Sequence, residues 1–259
     1  MSLVICVVSL GREKGKTSLI EQLTERFTEE GLQVATVKHI HGSFDTREKD
    51  TWRHLEAGAI MAVAATSREV VSLKRIVNPS LEEALEAVYV NPHLVLVEGY
   101  KESSAPKILC ADTVSDVETA MKVISNVIMV SGPIADDAGE TEKLKTQLPE
   151  TGVYRFEELV SALKEKIAFE VLKRLPGLNC GHCDYTSCLK LSKAILLGKA
   201  TLDDCEALTT RIVVLKIDDR VVPLSKFPQD ILRGTIMGML GSLKDVENHP
   251  KNIEIRIRV

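Results

Sequence analysis

The stretch LVICVVSLGREKGKTSL, residues 3–19, decides the fold of this chain. Its apolar run, residues 3–9, is typical of a strand buried on both faces of a sheet. The Gly-Lys-Thr at 15–17 matches the end of a phosphate-binding loop, in which lysine reaches the phosphates and threonine reaches magnesium. The full pattern, G-x-x-x-x-G-K-[ST], places its first glycine at position 10, but the chain has Leu10 there and Gly11 one residue later. The stretch therefore predicts a nucleotide site on a shortened loop.

The composition is that of an ordinary soluble globular protein. The chain has 259 residues, a net charge of −4, 44% hydrophobic residues and 27% charged residues. This charge balance, with no run of five basic residues, argues against nucleic-acid binding. Because the sequence has neither an apolar segment of membrane-spanning length nor a cationic leader, we expect a cytoplasmic protein.

Strands and helices alternate along the first part of the chain. The segment 18–31 has the apolar spacing of an amphipathic helix. Six later apolar runs are strand-like: 33–38, 60–65, 70–74, 93–97, 107–111 and 126–131. This alternation predicts an α/β fold with a mainly parallel sheet and flanking helices, in which ligands bind at the carboxyl ends of strands. Glu98 follows one such run and is a candidate partner for magnesium, together with Thr17.

The predicted nucleotide site combines the loop, the start of the following helix and the end of the run at 93–97. A helix N-terminus favours anions through its dipole and its free amides. We expect the site to contain Gly11, Arg12, Lys14, Gly15, Lys16, Thr17, Ser18, Glu98 and Gly99. The N-K-x-D and T-K-x-D segments with which many GTPases read guanine are absent from the sequence, so residue chemistry does not choose between guanine and adenine.

Four of the six cysteines lie close together, with the spacing C-x₂-C-x₄-C-x₁₆-C. Clustered cysteines in a cytosolic chain point to metal binding. Zinc sites typically have two C-x₂-C pairs and this segment has one, which favours a 4Fe-4S cluster over the alternatives of zinc and inert buried thiols. The predicted ligands are Cys180, Cys183, Cys188 and Cys205. The remaining two, Cys6 and Cys110, lie in predicted strands and are expected in the core.

The sequence divides into four predicted parts. They are a nucleotide-binding domain (1–155), a connecting helix (156–175), a small 4Fe-4S domain (176–208) and a C-terminal α+β unit (209–259). Pro176-Gly177 ends the connecting helix. The last part contains a predicted hairpin turning at 218–219, a helix and the alternating segment 253–259, which together suggest a ββαβ unit.

Several spaced motifs resemble the MobB family, the molybdopterin-guanine dinucleotide biosynthesis proteins B. They are K-H-x-H-G at 38–42, K-D-T-W-R at 49–53, A-G-A at 57–59, V-E-G-Y-K at 97–101 and P-K-I at 106–108. The resemblance covers roughly residues 1–150. It implies a P-loop fold, often dimeric, that binds GTP, hydrolyses it weakly at most, and assists attachment of guanosine monophosphate to molybdopterin. It also implies that Asp50, with Arg53, belongs to a loop facing the nucleotide or the pterin.

The cysteine segment is similar to the four-cysteine iron–sulfur domain of corrinoid iron–sulfur proteins and of electron-transfer proteins from anaerobes, which ordinary MobB proteins lack. The favoured hypothesis is a GTP-binding accessory protein in molybdenum or tungsten cofactor maturation, with molybdopterin and a guanylyltransferase or molybdoenzyme as partners. An iron–sulfur electron-transfer or redox-sensing protein with a regulatory P-loop domain is the alternative. An ATP-dependent metallocentre chaperone is a third. Tight binding of Mg-GTP in preference to ATP favours the first.

Overall fold

The computed structural model describes residues 2–11, 13–40, 42, 49–147, 151–209, 213–218, 220–243 and 253–257. The chain divides into two compact units, Met1–Ile167 and Ala168–Val259. The sequence predicted a domain boundary at Pro176-Gly177. The observed division lies earlier, inside the predicted connecting helix (156–175).

Among the described residues, the first unit has eight strands: β1 (Leu3–Val8), β2 (Val34–Lys38), β3 (Met61–Ala65), β4 (Val70–Lys74), β5 (Leu94–Glu98), β6 (Lys107–Cys110), β7 (Val127–Ser131) and β8 (Gly152–Val153). Six of them form one sheet in the order β2-β5-β1-β6-β7-β8, with every pair parallel. The mainly parallel sheet is therefore confirmed. β3 and β4 form a separate antiparallel hairpin, and β8 is a short edge strand that sequence reasoning did not predict.

The helices of the first unit are α1 (Lys16–Glu29), α2 (Asp50–Glu56), α3 (Leu81–Leu85), α4 (Val114–Val123), α5 (Ala138–Gln147) and α6 (Phe156–Leu172), which continues into the second unit. Helix α1 buries Ile20, Leu23 and Phe27 and contacts β1, β2 and β5. Capping boxes begin α3 and α4, whereas α1 begins without a side-chain cap. Its first amides are therefore not satisfied by a capping side chain, as expected where a helix start binds an anion.

The core of the first unit is aliphatic and includes both isolated cysteines. Cys6 is 0% exposed and Cys110 is 3% exposed, which confirms the expectation that they are core residues. Burial raises the pKa of the Cys6 thiol and raises that of Cys110 to about 12. Both thiols are therefore neutral at physiological pH and weakly nucleophilic.

The second unit contains α7 (Cys188–Leu196), α8 (Glu206–Thr209), β9 (Leu215–Ile217), β10 (Arg220–Val222) and α9 (Lys226–Leu240). The hairpin of β9 and β10 and the helix after it agree with prediction. Residues 253–257 are irregular and not a strand, so the last strand of the expected ββαβ unit is not formed there. Their three isoleucines are exposed. Alternation makes such a segment suitable for a strand, but a strand also needs a hydrogen-bonded neighbour.

Gly132 begins the turn after β7, and its replacement tests how tightly the backbone packs in the first unit. Its φ is +105°, and an added Cβ would lie 2.9 Å from the carbonyl oxygen of Ala111. We expect Gly132→Ala to lower the free energy of unfolding by roughly 2–4 kcal/mol, because backbone strain and overpacking add. Urea unfolding followed by circular dichroism measures this. Gly139→Ala, at an ordinary helical position in α5, is the control, and equal stabilities of the two variants would contradict the prediction.

Candidate functional site

The loop between β1 and α1 makes a tight turn in front of the helix. Gly15 precedes α1 with φ 72°, in the left-handed region that favours glycine. Glu13 also has a positive φ, of 57°. Three residues lie between Gly11 and Gly15, so the loop is one residue shorter than the standard pattern, as the sequence predicted.

The side chain of Lys16 folds back over the start of this loop. Its Nζ donates to Ser9 Oγ at 2.8 Å and to the Gly11 carbonyl at 3.1 Å. Ser9 is fully buried, and its hydroxyl donates to the same Gly11 carbonyl at 2.6 Å. Ser9, which sequence reasoning did not single out, therefore helps to fix the lysine that the motif predicted.

Thr17 and Glu98 meet at the carboxyl ends of the central strands. Glu98 lies in register with Val7 of β1 and Lys38 of β2. Its Oε2 accepts from Thr17 Oγ1 at 3.1 Å and pairs with Lys38 Nζ at 3.1 Å. A hydroxyl and a carboxylate oxygen are suitable ligands for magnesium beside a nucleotide phosphate. The predicted pair is thus brought together, and Lys38 joins it because strand register places it there.

Lys14 and Ser18, which were also predicted in the site, contact side chains other than Thr17 and Glu98. Lys14 Nζ pairs with Asp112 Oδ2 at 2.6 Å and with Asp116 Oδ2 at 3.4 Å. The hydrogen bond to Asp112 raises the pKa of Lys14. The hydroxyl of Ser18 accepts from the amide of Gln22 at 3.0 Å. The predicted Arg12 lies outside the described residues.

Gly99 and Asp50 differ in how closely they join the site. Gly99 has φ +101°, and a Cβ there would come 2.9 Å from His39 Cβ, so the turn after β5 requires glycine. Its amide donates to the Val7 carbonyl at 3.1 Å. Asp50 begins α2 with its side chain 87% exposed, and its carboxylate pairs with Arg53 at 3.5 Å. Asp50 and Arg53 therefore pair with each other within helix α2, and their predicted contact with the nucleotide or the pterin stays a prediction.

An open groove begins at the Thr17–Glu98 pair and follows α1 along the edge strand β2. Its volume is about 560 Å³. The lining residues are mostly hydroxyl-bearing or acidic: Thr17, Ile20, Glu21, Thr24, Glu25, Thr28, Thr36, Val37, Lys38 and Glu98. The groove therefore places polar walls, with three carboxylates, next to the candidate magnesium ligands.

The four clustered cysteines line one small cavity in the second unit. Pro176, Leu178 and Tyr185 are among its other walls. Cys188 and Cys205 are buried, whereas Cys180 and Cys183 are half-buried. In the described residues, no three or more His, Cys, Asp or Glu side chains are grouped as ligands of a single metal ion. A 4Fe-4S cluster needs a different arrangement from a single metal ion, because its four cysteine thiolates bind different iron atoms.

Hydrogen bonds from the backbone reach the sulfur atoms of this cavity. Asn179 has a positive φ of 47° and binds Cys188 twice. Its amide donates to Cys188 Sγ at 3.4 Å, and its side-chain oxygen accepts from the Cys188 amide at 2.9 Å. Burial raises the pKa of Cys205, while hydrogen bonds from the Leu208 and Ala207 amides act to lower it. Amide donors aimed at sulfur fit cluster-bound thiolates.

Comparison with known proteins gives two family matches. Residues 4–131 match the MobB family, described as "Molybdopterin guanine dinucleotide synthesis protein B". Residues 175–206 match a family described as "Putative Fe-S cluster". That second range contains all four clustered cysteines. No helix in the described part of the chain combines the length and apolar character needed to cross a bilayer.

Two curated relatives show how far the similarity extends. A Methanocaldococcus jannaschii protein, "Putative molybdopterin-guanine dinucleotide biosynthesis adapter protein", is 27% identical over 251 residues, which cover 96% of this chain and 94% of the relative. A Bacillus subtilis protein, "Probable molybdopterin-guanine dinucleotide biosynthesis adapter protein", is 30% identical over 124 residues, covering 46% of this chain and 70% of the relative. The solved structure of Bacillus subtilis MobB is 18% identical, with a TM-score of 0.47, and covers 62% of this chain and 95% of that one.

The cysteine cavity yields a direct prediction. Cys183→Ala removes a half-buried thiol that lines the cavity. We expect anaerobically purified Cys183→Ala to lose most of its bound iron and sulfide, because cluster coordination uses four thiolates. Iron and sulfide assays and the visible spectrum measure the loss. The matched control is Cys6→Ala, since Cys6 lies in the core of the other unit. Unchanged iron and sulfide in Cys183→Ala would disprove the assignment.

Proposed function

Because this chain belongs to the MobB family of molybdopterin-guanine dinucleotide biosynthesis proteins, we propose that it is a GTP-binding adapter in molybdenum or tungsten cofactor maturation. In this role it assists the formation or delivery of molybdopterin guanine dinucleotide, and its second unit holds a 4Fe-4S cluster. The observation that carries the proposal is the meeting of Lys16, Thr17 and Glu98 around the loop at the carboxyl ends of the parallel strands.

Each residue of this group has a defined task in the proposed site. The start of α1 offers its amides to the phosphates, and Lys16 binds the terminal ones. Thr17 and Glu98 would hold magnesium through their side-chain oxygen atoms, which lie 3.1 Å apart. Lys38 forms an ion pair with the same Glu98 oxygen, at 3.1 Å, and thereby orients this carboxylate. We expect hydrolysis to be slow at most, as suits an adapter that binds nucleotide.

The cysteine unit adds a second chemistry to this adapter. Cys180, Cys183, Cys188 and Cys205 would be the thiolate ligands, with Asn179 orienting Cys188. A bound 4Fe-4S cluster supplies one-electron redox chemistry. The cluster either reports the redox state of the cell or forms part of the surface that docks a molybdoenzyme or a molybdopterin guanylyltransferase. The names of the two relatives, both adapter proteins of molybdopterin-guanine dinucleotide biosynthesis, support the direction of this proposal.

Titration calorimetry of the full chain tests the nucleotide site. We expect Mg-GTP to bind more tightly than Mg-ATP, and Lys16→Ala to weaken GTP binding by about tenfold or more, since a charged hydrogen bond contributes about 1.5–3 kcal/mol. The matched control is Lys122→Ala, an exposed lysine on α4. Equal GTP affinity in Lys16→Ala and wild type would disprove the nucleotide site.

Replacement of the magnesium ligands gives a separate test. We expect Thr17→Val to bind GTP equally well with and without magnesium, whereas wild-type affinity rises when magnesium is added. Thr17→Ser, which keeps the hydroxyl, is the control and retains the magnesium effect. A chain that binds no nucleotide but shows a reversible cluster potential would instead favour the electron-transfer function.

A further inference from the structure

We propose that Lys101 is a second phosphate-binding lysine of the nucleotide site and that it compensates for the shortened loop. This inference rests on the proposed function and deepens it. It assigns to the turn after β5 a direct role in holding the terminal phosphates, beside the role of Lys16.

The ammonium group of Lys101 lies at the irregular position of the loop. Its Nζ donates to the carbonyl of Leu10 at 3.4 Å. Leu10 occupies the place of the first glycine in the standard pattern, and its side chain packs against the hydrophobic core. The carbonyl that follows, that of Gly11, accepts from Lys16 at 3.1 Å. Two ammonium groups, carried by different parts of the fold, therefore converge on consecutive peptide groups of one loop.

The electrostatics of this pair favour an anion between them. Burial lowers the pKa of Lys101, and repulsion from Lys16 lowers it further. Two carboxylates that follow strands of the same sheet already pair with other lysines: Glu98 with Lys38, and Asp112 with Lys14. Among the described residues, the hydrogen bond of Lys101 goes to the neutral carbonyl of Leu10, which does not balance a positive charge. A polyphosphate placed against both ammonium groups supplies that balance.

The turn that carries Lys101 is held firmly in place. The ring of Tyr100 stacks on His39 with centroids 4.4 Å apart, and its hydroxyl donates to the Pro79 carbonyl at 3.2 Å. Beyond Lys101, the hydroxyl of Ser103 donates to the Tyr100 carbonyl at 2.9 Å. Such anchoring reduces the ordering that ligand binding would otherwise require.

Lys107 anchors the far end of the same turn. Its side chain is fully buried at the start of β6. Its Nζ donates to the carbonyls of Ser103 and, at 3.0 Å, of Ala105. The turn is thus fixed on both sides of Lys101, so that this lysine is presented from a rigid support.

A charged donor on this turn suits a loop of reduced length. With one residue fewer, the loop has one fewer amide available to the phosphates. A lysine ammonium makes stronger hydrogen bonds to phosphate than a neutral amide does, because the bond is assisted by charge. Lys101 therefore replaces an amide donor by a charged one at the point where the loop departs from the standard pattern.

The test compares polyphosphate ligands in the full chain. We expect Lys101→Met to weaken GTP and tripolyphosphate binding by about tenfold or more and GMP binding much less, because the lost charge faces the terminal phosphates. Lys101→Arg keeps the charge and should retain most of the affinity. Lys122→Met, which removes an exposed charge on α4, should bind like wild type. Calorimetry gives the affinities, and thermal unfolding checks that each variant is folded.

Two results would overturn this inference. One is wild-type affinity for GTP and tripolyphosphate in Lys101→Met. The other is an equal loss for GTP and GMP together with a lowered melting temperature, which would indicate that Lys101 only supports the Leu10 carbonyl. The proposed function fails separately: if tripolyphosphate binds in a Lys101-dependent way but GTP is not preferred over ATP, the phosphate role stands and the guanine preference does not.

Discussion

The candidate nucleotide site of the first unit depends on the contacts that the Glu98 carboxylate makes. Glu98 ends strand β5, whose neighbours are β1 on one side and the edge strand β2 on the other. One oxygen of this carboxylate contacts Thr17 of α1 and Lys38 of β2. A hydroxyl donor and an ammonium group thus meet at a single acceptor. Because parallel strands bring their carboxyl ends to one edge, a ligand at that edge contacts several elements at once.

The second unit depends on a different local constraint, the double hydrogen bond between Asn179 and Cys188. It links the loop of the first two clustered cysteines to the start of helix α7. Asn179 and Gly181 both adopt positive φ, which turns the chain tightly around Cys180. Buried amides are costly to leave without partners, so donation to sulfur also satisfies the backbone. The two hydrogen bonds thereby hold Asn179, next to Cys180, against Cys188.

These two sites place distinct chemistries on one chain. The first unit offers cations, a helix start and a carboxylate, which suit phosphates and magnesium. The second offers thiols and amide donors, which suit an iron–sulfur cluster. The two family matches lie in separate ranges, 4–131 and 175–206. The chain therefore carries two candidate sites of different chemistry in separate ranges of its sequence.

The sequence by itself determined the parallel α/β fold, the shortened loop, the pairing of Thr17 with Glu98 and the grouping of the cysteines. These follow from local patterns: buried apolar runs, glycine positions and cysteine spacing. Only the tertiary structure placed Ser9, Lys38 and Lys101 beside the loop, because strand register and turn geometry bring them there. Ser9 lies in none of the later motifs, and the motifs that contain Lys38 and Lys101 assign these two lysines no role. The tertiary structure also decided that residues 253–257 form no strand, since alternation supplies a suitable face but not a neighbour to bind.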